Sequence, residues 1–407
     1  MTVLAHIVGD APVRLWGLPT RERLRRLLGR AGVTDLREAL VPAAASSTDS
    51  VVVARGDHVY DDRVIAHLAR RPGIALALRD GGRLDLVAAH VPWDLAPAAR
   101  DALSGAGGAE ALAGLPVETP ETLAPAYRKE LRSSAPPFVA RVTATNRCAL
   151  EERLFAAAYK SVTDLVTKWL WPRPALWATR LAVRVGLAPN HVTATGVALV
   201  LLAGALFALG WHGWGLLAAF LMTFLDTVDG KLARVTVTSS RFGHVLDHGT
   251  DLIHPPLWYL AWAWGLAAFD PGLPGLSLAS VVWLIVIGYA LGRGVEGAFH
   301  LWLAPFSIFS WRPPDSYFRL VTARRNPNLL LLTAATLSGR PDLGLVAVAA
   351  WTIASTLVLL VRLAVAWRAK RADGMLQSWL MDPEAHAGPG SLAVRVFARA
   401  RAGGHGG

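Results

Sequence analysis

The chain is poor in cysteine, in charge and in anything resembling a leader. Cys148 is the single cysteine among 407 residues, which excludes an intrachain disulfide and suits a reducing compartment. No short apolar segment follows Met1, so the first 185 residues are expected to stay in the cytoplasm. Charged residues make up 17% of the chain against 53% hydrophobic ones, with a mean hydropathy of +0.37, which excludes an ordinary soluble protein of this length. The shortage is uneven: Arg, Asp and Glu are dense in the first half, whereas long uncharged runs begin after Val192. That contrast implies a soluble N-terminal domain joined to an α-helical integral membrane domain.

What charge remains is lopsided, with a net charge of +11. The basic residues cluster beside apolar segments and not along one exposed face, so nucleic acid is excluded as a partner. Lys160, Lys168, Arg173, Arg180 and Arg184 precede the first apolar run, Arg312, Arg319, Arg324 and Arg325 precede the fifth, and Arg368, Lys370 and Arg371 follow the last. The opposite turns hold only His212, Asp270, Arg340 and Asp342. Six transmembrane helices with both termini cytoplasmic, in the cell (inner) membrane, satisfy this bias at every loop. Their expected positions are near 191–210, 213–233, 243–268, 277–299, 326–340 and 343–367, the fifth short for a span of ~20 residues.

In the first half, Val3 to Val8, Ser50 to Ala54, Ile74 to Leu78 and Leu84 to His90 read as strands, while Thr20 to Ala31 and Asp61 to Arg71 read as amphipathic helices. The rhythm is that of a small α/β domain with a mainly parallel sheet, expected over residues 1–135. From Gly105 to Pro137 the composition turns to Gly, Ala, Pro and Ser, as at a boundary. Residues 136–190 read as a linker with interfacial helices carrying Trp169, Trp171 and Trp177, residues 191–370 as the six-helix membrane domain, and residues 371–407 as a disordered tail.

Between Asp226 and Asp251 four carboxylates stand at helical spacing. Asp226 and Asp229 are i and i+3, Asp247 and Asp251 are i and i+4, so each pair faces one way on its helix. Four carboxylates converging in a low-dielectric place repel one another unless one or two divalent cations compensate them, and hard oxygens suit Mg²⁺ or Mn²⁺. A structural ion-pair role would cost ~2.5 to 3.5 kcal/mol for each buried carboxylate, which argues against four in one register.

The segment D-x-x-D-G-x-x-A-R, eight residues, G-x-x-x-D-x-x-x-D resembles the signature of the CDP-alcohol phosphotransferase (CDP-alcohol phosphatidyltransferase) family, with all eight positions matched by Asp226, Asp229, Gly230, Ala233, Arg234, Gly243, Asp247 and Asp251. The resemblance, over roughly residues 150–370, implies a membrane transferase of substituted phosphate groups. Such an enzyme moves the group from a CDP-alcohol, CDP-diacylglycerol or a CDP-polyol, to an acceptor alcohol and releases CMP, in phospholipid or polyol-phosphate synthesis. It implies Asp226, Asp229, Asp247 and Asp251 as metal ligands and Asp251 also as the general base. It further places Asn190, Thr193 and Ser240 beside the CDP, with Gly230, Ala233 and Gly243 leaving room for the nucleotide and Arg234 offering a donor fork to phosphate. Membrane lipid is an implied partner, and a homodimer is left open.

Several readings stand open at this level. Asn190 and Thr193 either cap a helix or meet the nucleotide. Arg293 and Glu296 either pair with each other or belong to an acceptor pocket, while Arg324 and Arg325, in the loop from Trp311 to Asn328, either meet anionic lipid or a phosphorylated acceptor or simply satisfy the positive-inside bias. His244, His248 and His254 read as packing or outer-shell residues, since Mg²⁺ prefers oxygen. Trp258 to Trp264 reads as an interface anchor.

Residues 17–33 and 51–60 resemble part of a sugar-nucleotidyltransferase fold, in which Asp57 would match a metal position. The phosphate loop of that family is missing, since Val8-Gly9-Asp10-Ala11-Pro12 carries one glycine and a proline, so a degenerate, regulatory or substrate-delivering domain is expected. The fusion resembles that of inositol-phosphate cytidylyltransferase with di-inositol-phosphate-phosphate synthase, which implies inositol-type or other polyol head groups. A bifunctional enzyme that also makes its CDP-alcohol is the alternative, and a cation transporter is the remoter one.

Overall fold

The computed structural model describes residues 2–40, 49–238, 241–266 and 276–398, without the side chains of residues 80, 109, 241–248, 250 and 251. In chain order, the N-terminal half runs Val3–Val8 (β1), Arg14–Leu15 (β2), Leu18–Pro19 (β3), Thr20–Arg30 (α1), Asp35–Leu36 (β4), Ser50–Arg55 (β5), His58–Tyr60 (β6) and Asp62–Arg70 (α2). It continues with Ile74–Asp80 (β7), Arg83–Pro92 (β8), Ala96–Ser104 (α3), Val117–Glu118 (β9), Pro120–Leu123 (α4), Tyr127–Arg128 (β10), Ser133–Ser134 (β11) and Val139–Arg141 (β12).

The central sheet has the order β4-β1-β5-β8-β7-β9. Alternation along β5 sends Val52 and Ala54 to a core shared with Leu24, Leu27 and Leu28 of α1 and Val64, Ile65 and Leu68 of α2. Val51 and Val53 point the other way, onto Ala96, Ala99 and Leu103 of α3. The sheet is mixed: β1/β4, β1/β5 and β7/β9 are parallel, as expected, whereas β5/β8 and β7/β8 are antiparallel. Gly81 and Gly82 both have positive φ, 54° and 87°, which closes β7 onto β8 in a two-residue hairpin instead of a crossover. Strand pairing also reaches further than the compositional boundary, since β9 joins the edge of the central sheet and β12 pairs with β6 in a separate two-stranded sheet up to Arg141.

The second half is helical: Arg147–Ala157 (α5), Pro172–Arg184 (α6), Pro189–Ala208 (α7), His212–Val235 (α8), Arg241–Gly265 (α9), Leu278–Ala298 (α10), Pro313–Val321 (α11), Arg325–Leu337 (α12), Pro341–Asp373 (α13) and Pro383–Ala387 (α14). Three stretches among the described residues are long and apolar enough to cross a membrane, Pro189–Ala208, Leu278–Leu303 and Pro341–Asp373, which marks this half as a helical membrane domain. The signature helix α8 falls outside that set, with Asp226, Asp229, Lys231 and Arg234 in its last ten residues. Pro255 and Pro256 inside α9 remove two backbone donors, and the Leu252 carbonyl accepts the Tyr289 hydroxyl at 3.1 Å from α10.

Two expectations change here. Trp258 and Trp262 are interior, donating to Val200 O at 2.9 Å and Pro341 O at 3.1 Å, and only Trp264 is exposed. They fill the bundle with Phe207, which no interface anchor would do. The tail is not disordered over residues 376–398: Leu376, Trp379, Leu380, Val394 and Phe397 are buried against Phe309, Trp311 and Leu320. Trp379 donates to Ser316 Oγ at 2.9 Å, so apolar anchors spaced through a polar sequence outweigh its composition.

The two halves share a core. Leu15, Trp16 and Val59 of the N-terminal half pack in one cluster with Leu150, Leu154 and Phe155 of α5 and with Val228, Leu232 and Val235 of α8. Trp16 donates through its backbone and its indole to Glu151, both at 3.0 Å.

Candidate active site

A cavity of about 1020 Å³ opens between α7, the last turns of α8, α10 and the β10/β11 hairpin. Pro189 starts α7 at its first helical position, leaving the cap position to Ala188, so Asn190 sits within the first turn and lines the cavity. Thr193, one turn on, reaches Asp229 Oδ2 at 2.9 Å and its own Pro189 carbonyl at 3.1 Å. Neither residue is the cap of α7, and both line the cavity.

On α8, Asp229, Gly230, Ala233 and Arg234 share the cavity face. A Cβ on Gly230 would stand 3.4 Å from Arg234 Nη1, so the bare backbone there keeps the guanidinium in place as well as leaving room for a ligand. Arg234 also donates to Ala158 O at 3.2 Å. Asp229 is 8% exposed, while Asp226, one turn earlier, pairs with Arg325 of α12. Lys231, which the sequence reading passed over, is 5% exposed with Nζ 3.8 Å above the Tyr159 ring.

Gly243, Asp247 and Asp251 fall on α9, where their side chains lie outside the described residues, as does Ser240 altogether, and the same holds for the side chains of His244 and His248. His254 packs edge-on against Trp258 at 4.6 Å. Of the three expected acceptor cations, Arg293 lines the cavity and donates to the Tyr289 hydroxyl at 3.3 Å, Arg324 is paired with Glu296, and Arg325 with Asp226. Arg293 also stands 3.8 Å from Glu296, so the i, i+3 pairing and the cavity position hold together.

The far wall was not legible beforehand. Lys129 and Arg132, from the β10/β11 turn, line the cavity with Lys160 and His300. Arg132 takes a left-handed backbone conformation, φ 47°, and burial among Arg319 and Arg293 holds its guanidinium down to about 10. Two cations within a Gly-, Pro- and Ser-rich stretch were the only sequence signal. The cavity thus sets a signature face, carrying the buried Asp229, against a face where Lys129, Arg132, Lys160 and Arg293 outnumber Glu130 and Glu296.

Among the described residues no three acidic, histidine or cysteine side chains gather to hold a metal. The oxygen donors present, Asp229 at the cavity and Asp226 one turn away, have the hard chemistry that Mg²⁺ or Mn²⁺ takes, with Arg325 competing for Asp226.

The N-terminal half has a different local chemistry. Asp10 Oδ1 accepts from Ala11 N at 2.8 Å, Thr20 Oγ1 at 2.6 Å and Arg21 N at 3.2 Å, so a carboxylate of the chain itself occupies the start of α1. Asp57 is held by Arg55, by His58 Nδ1 at 2.7 Å and by Arg141. Burial alone would raise its carboxyl, but the Arg55 and His58 hydrogen bonds bring it below the usual range.

A family model for CDP-alcohol phosphatidyltransferase matches residues 186–302. The phosphatidylinositol phosphate synthase of Mycolicibacterium smegmatis is 30% identical over 133 residues, 32% of this chain and 60% of that protein. The protein of the same name from Mycobacteroides abscessus is 34% identical over 115 residues, 27% and 52% of the two chains. Cholinephosphotransferase 1 of Xenopus laevis is 31% identical over 119 residues, 26% and 27%. The chain thus spans three fifths or less of the length of these relatives. The matched stretch runs from the approach to α7, through the whole of the signature, to the end of α10, and over these residues the chain is similar to the CDP-alcohol phosphatidyltransferase family.

Proposed function

We propose that this chain transfers a substituted phosphate group from a CDP-alcohol to an acceptor alcohol, releasing CMP, in phospholipid or polyol-phosphate synthesis. The observation that carries the reading is one cavity in which Asn190, Thr193, Asp229, Gly230, Ala233 and Arg234 share a wall. Asn190, Thr193 and the Gly230–Ala233 face would receive the cytidine side, and Arg234 a donor phosphate. Asp251 would take the proton of the acceptor hydroxyl as its oxygen bonds to the distal phosphorus; the bond from that phosphorus to the bridging oxygen then breaks, and CMP leaves. Asp226 and Asp229, joined by Asp247 and Asp251 from α9, would hold one or two Mg²⁺ or Mn²⁺ ions. Such ions, when bound, neutralise the pyrophosphate and stabilise the departing CMP. Arg293, at the cationic wall, would face the acceptor.

The six helices α7, α8, α9, α10, α12 and α13 are the proposed spans, with the N-terminal half and the C-terminal end on the cytoplasmic side of the cell membrane. A lipid product fits the printed names of the relatives, two of them phosphatidylinositol phosphate synthases. The bifunctional alternative is disfavoured by Asp10 filling the start of α1 and by the cations that saturate Asp57. A cation transporter is disfavoured by Lys129, Arg132, Lys160, Arg234 and Arg293 around the cavity, which outnumber Glu130, Asp229 and Glu296 and leave it net positive towards a cationic cargo.

Purified protein given CDP-diacylglycerol, Mg²⁺ and a panel of alcohols should release CMP with at least one of them. The Asp251→Asn variant should lose transfer while keeping metal-dependent CMP binding, and Asp226→Asn should weaken both. Near-normal turnover of Asp251→Asn would remove the assigned base.

A further inference from the structure

The C-terminal end of the signature helix is finished by residues of the other half of the molecule. A helix leaves its last carbonyls without intrahelical donors, and cations are favoured there. At the end of α8 the chain itself serves some of them: Thr236 N returns to Leu232 O at 3.0 Å, Val237 N to Arg234 O at 3.3 Å and Thr238 N to Ala233 O at 2.9 Å. The Val235 carbonyl accepts from Arg23 Nη1, and the Thr236 carbonyl accepts from Arg26 Nη1 at 2.9 Å. Both arginines belong to α1.

The contact is built, not incidental. Arg23 is 6% exposed, a costly place for a guanidinium, and Glu22 steadies Arg26 with a 2.7 Å hydrogen bond. Val237, at φ 54°, a conformation β-branched residues rarely adopt, is 5% exposed and sits in the N-terminal core with Leu24, Leu27 and Leu28. Arg234, one residue before the first clamped carbonyl, lines both the main cavity and a second one of about 70 Å³ walled by Arg23, Arg30, Asp61 and Arg128. The last turn of α8 therefore lies between the N-terminal half and the site.

We infer that Arg23 and Arg26 are positioning residues of the transferase, holding the last turn of α8 so that Arg234 and Ala233 present a formed donor-binding wall. This rests on the transferase reading. Neither arginine touches the substrate; they act through the backbone of Val235 and Thr236, and the N-terminal half thereby sets donor affinity without chemistry of its own.

The test uses the full-length protein in detergent. Arg23→Met/Arg26→Met should raise the CMP dissociation constant and the donor KM about tenfold, the loss expected from two charge-assisted hydrogen bonds that order a binding residue. The acceptor KM should stay within about twofold, since the cationic wall is untouched. Amide hydrogen exchange at residues 235–238 should accelerate. Arg26→Met alone, at a half-exposed site that cannot threaten folding, should raise the CMP constant about threefold, and Arg23→Lys/Arg26→Lys should restore most of the affinity. Unchanged exchange at residues 235–238, or CMP binding by both Met variants within twofold of the parent, would overturn the inference. A uniform loss of kcat with both KM values unchanged would overturn it too, as that is the mark of a merely structural role. Should the parent chain bind no CMP, the transferase reading itself would fall.

Discussion

At the start of α1 and in the cavity beside α8 the molecule has assembled donors for an anion, and it has treated the two places differently. The first receives Asp10, whose carboxylate takes hydrogen bonds from two backbone amides and a threonine. The second gathers Lys129, Arg132, Lys160, Arg234 and Arg293 around about 1020 Å³, with the buried Asp229 beside Arg234 on α8 and with Glu130 and Glu296 also in the lining. One site is satisfied by the chain and has no call on a ligand. The other has more lysine and arginine than acidic side chains in its lining, an excess that favours an anionic guest. On the proposed reading, the difference assigns the chemistry to the helical half and a positioning role to the N-terminal half.

The contrast can be broken most sharply at the two aspartates. Asp229→Asn should reduce CMP release on the order of a thousandfold, the scale of losing a preorganised charge at a reacting phosphate, whereas Asp10→Asn should leave it within about twofold. Equal losses would erase the distinction. The cationic wall comes next: Arg132→Met should raise the acceptor KM about tenfold with little change for the donor, as removal of one charge-assisted contact does. A change confined to the donor KM would assign the wall to the nucleotide instead.

A smaller effect sharpens the other side. Asp10→Ala should cost about 1 kcal/mol of stability, as loss of a helix-start acceptor does, and should produce no CTP turnover because Asp57 stays engaged with Arg55 and His58. Mild acid gives the smallest effect. Burial holds His58 below its ordinary value despite Asp57, and the Arg55 and His58 bonds hold Asp57 below its own against burial. In both cases the unfolded chain binds the proton more readily. His58 therefore begins to destabilise the fold as pH falls through about 6.5, and the Asp57 contribution, complete above about 4, is lost as pH falls through its lower folded value. The thermal midpoint should drop by roughly 2 °C between pH 7 and pH 5, read by near-ultraviolet dichroism.

Much of this was written in local pattern. The alternation of Ser50–Arg55 and the stripe of Leu24, Leu27 and Leu28 specify a strand and a helix with little help from elsewhere. Spacing within the signature put Asp229, Gly230, Ala233 and Arg234 on one face, and the cavity lies along that face. What stayed hidden depends on residues far apart in sequence. No pattern near Lys129 or Arg132 announces that the hairpin reaches the membrane cavity, and nothing around Arg23 tells that its partner is the carbonyl of Val235. The interior places of Trp258 and Trp262 were missed for a related reason: a tryptophan reads alike at a lipid interface and against Phe207. Gly81-Gly82 was a local signal for an antiparallel hairpin, and the α/β rhythm around it masked that signal.

The core that Leu15, Trp16 and Val59 share with Val228, Leu232 and Val235 ties the order of folding to the order of synthesis. These first residues leave the ribosome about two hundred positions ahead of the helix they pack against, a delay on the order of 10 to 40 s at ordinary translation rates. Until α8 has formed, the early half carries an uncovered greasy face, and its maturation must wait on the helical half.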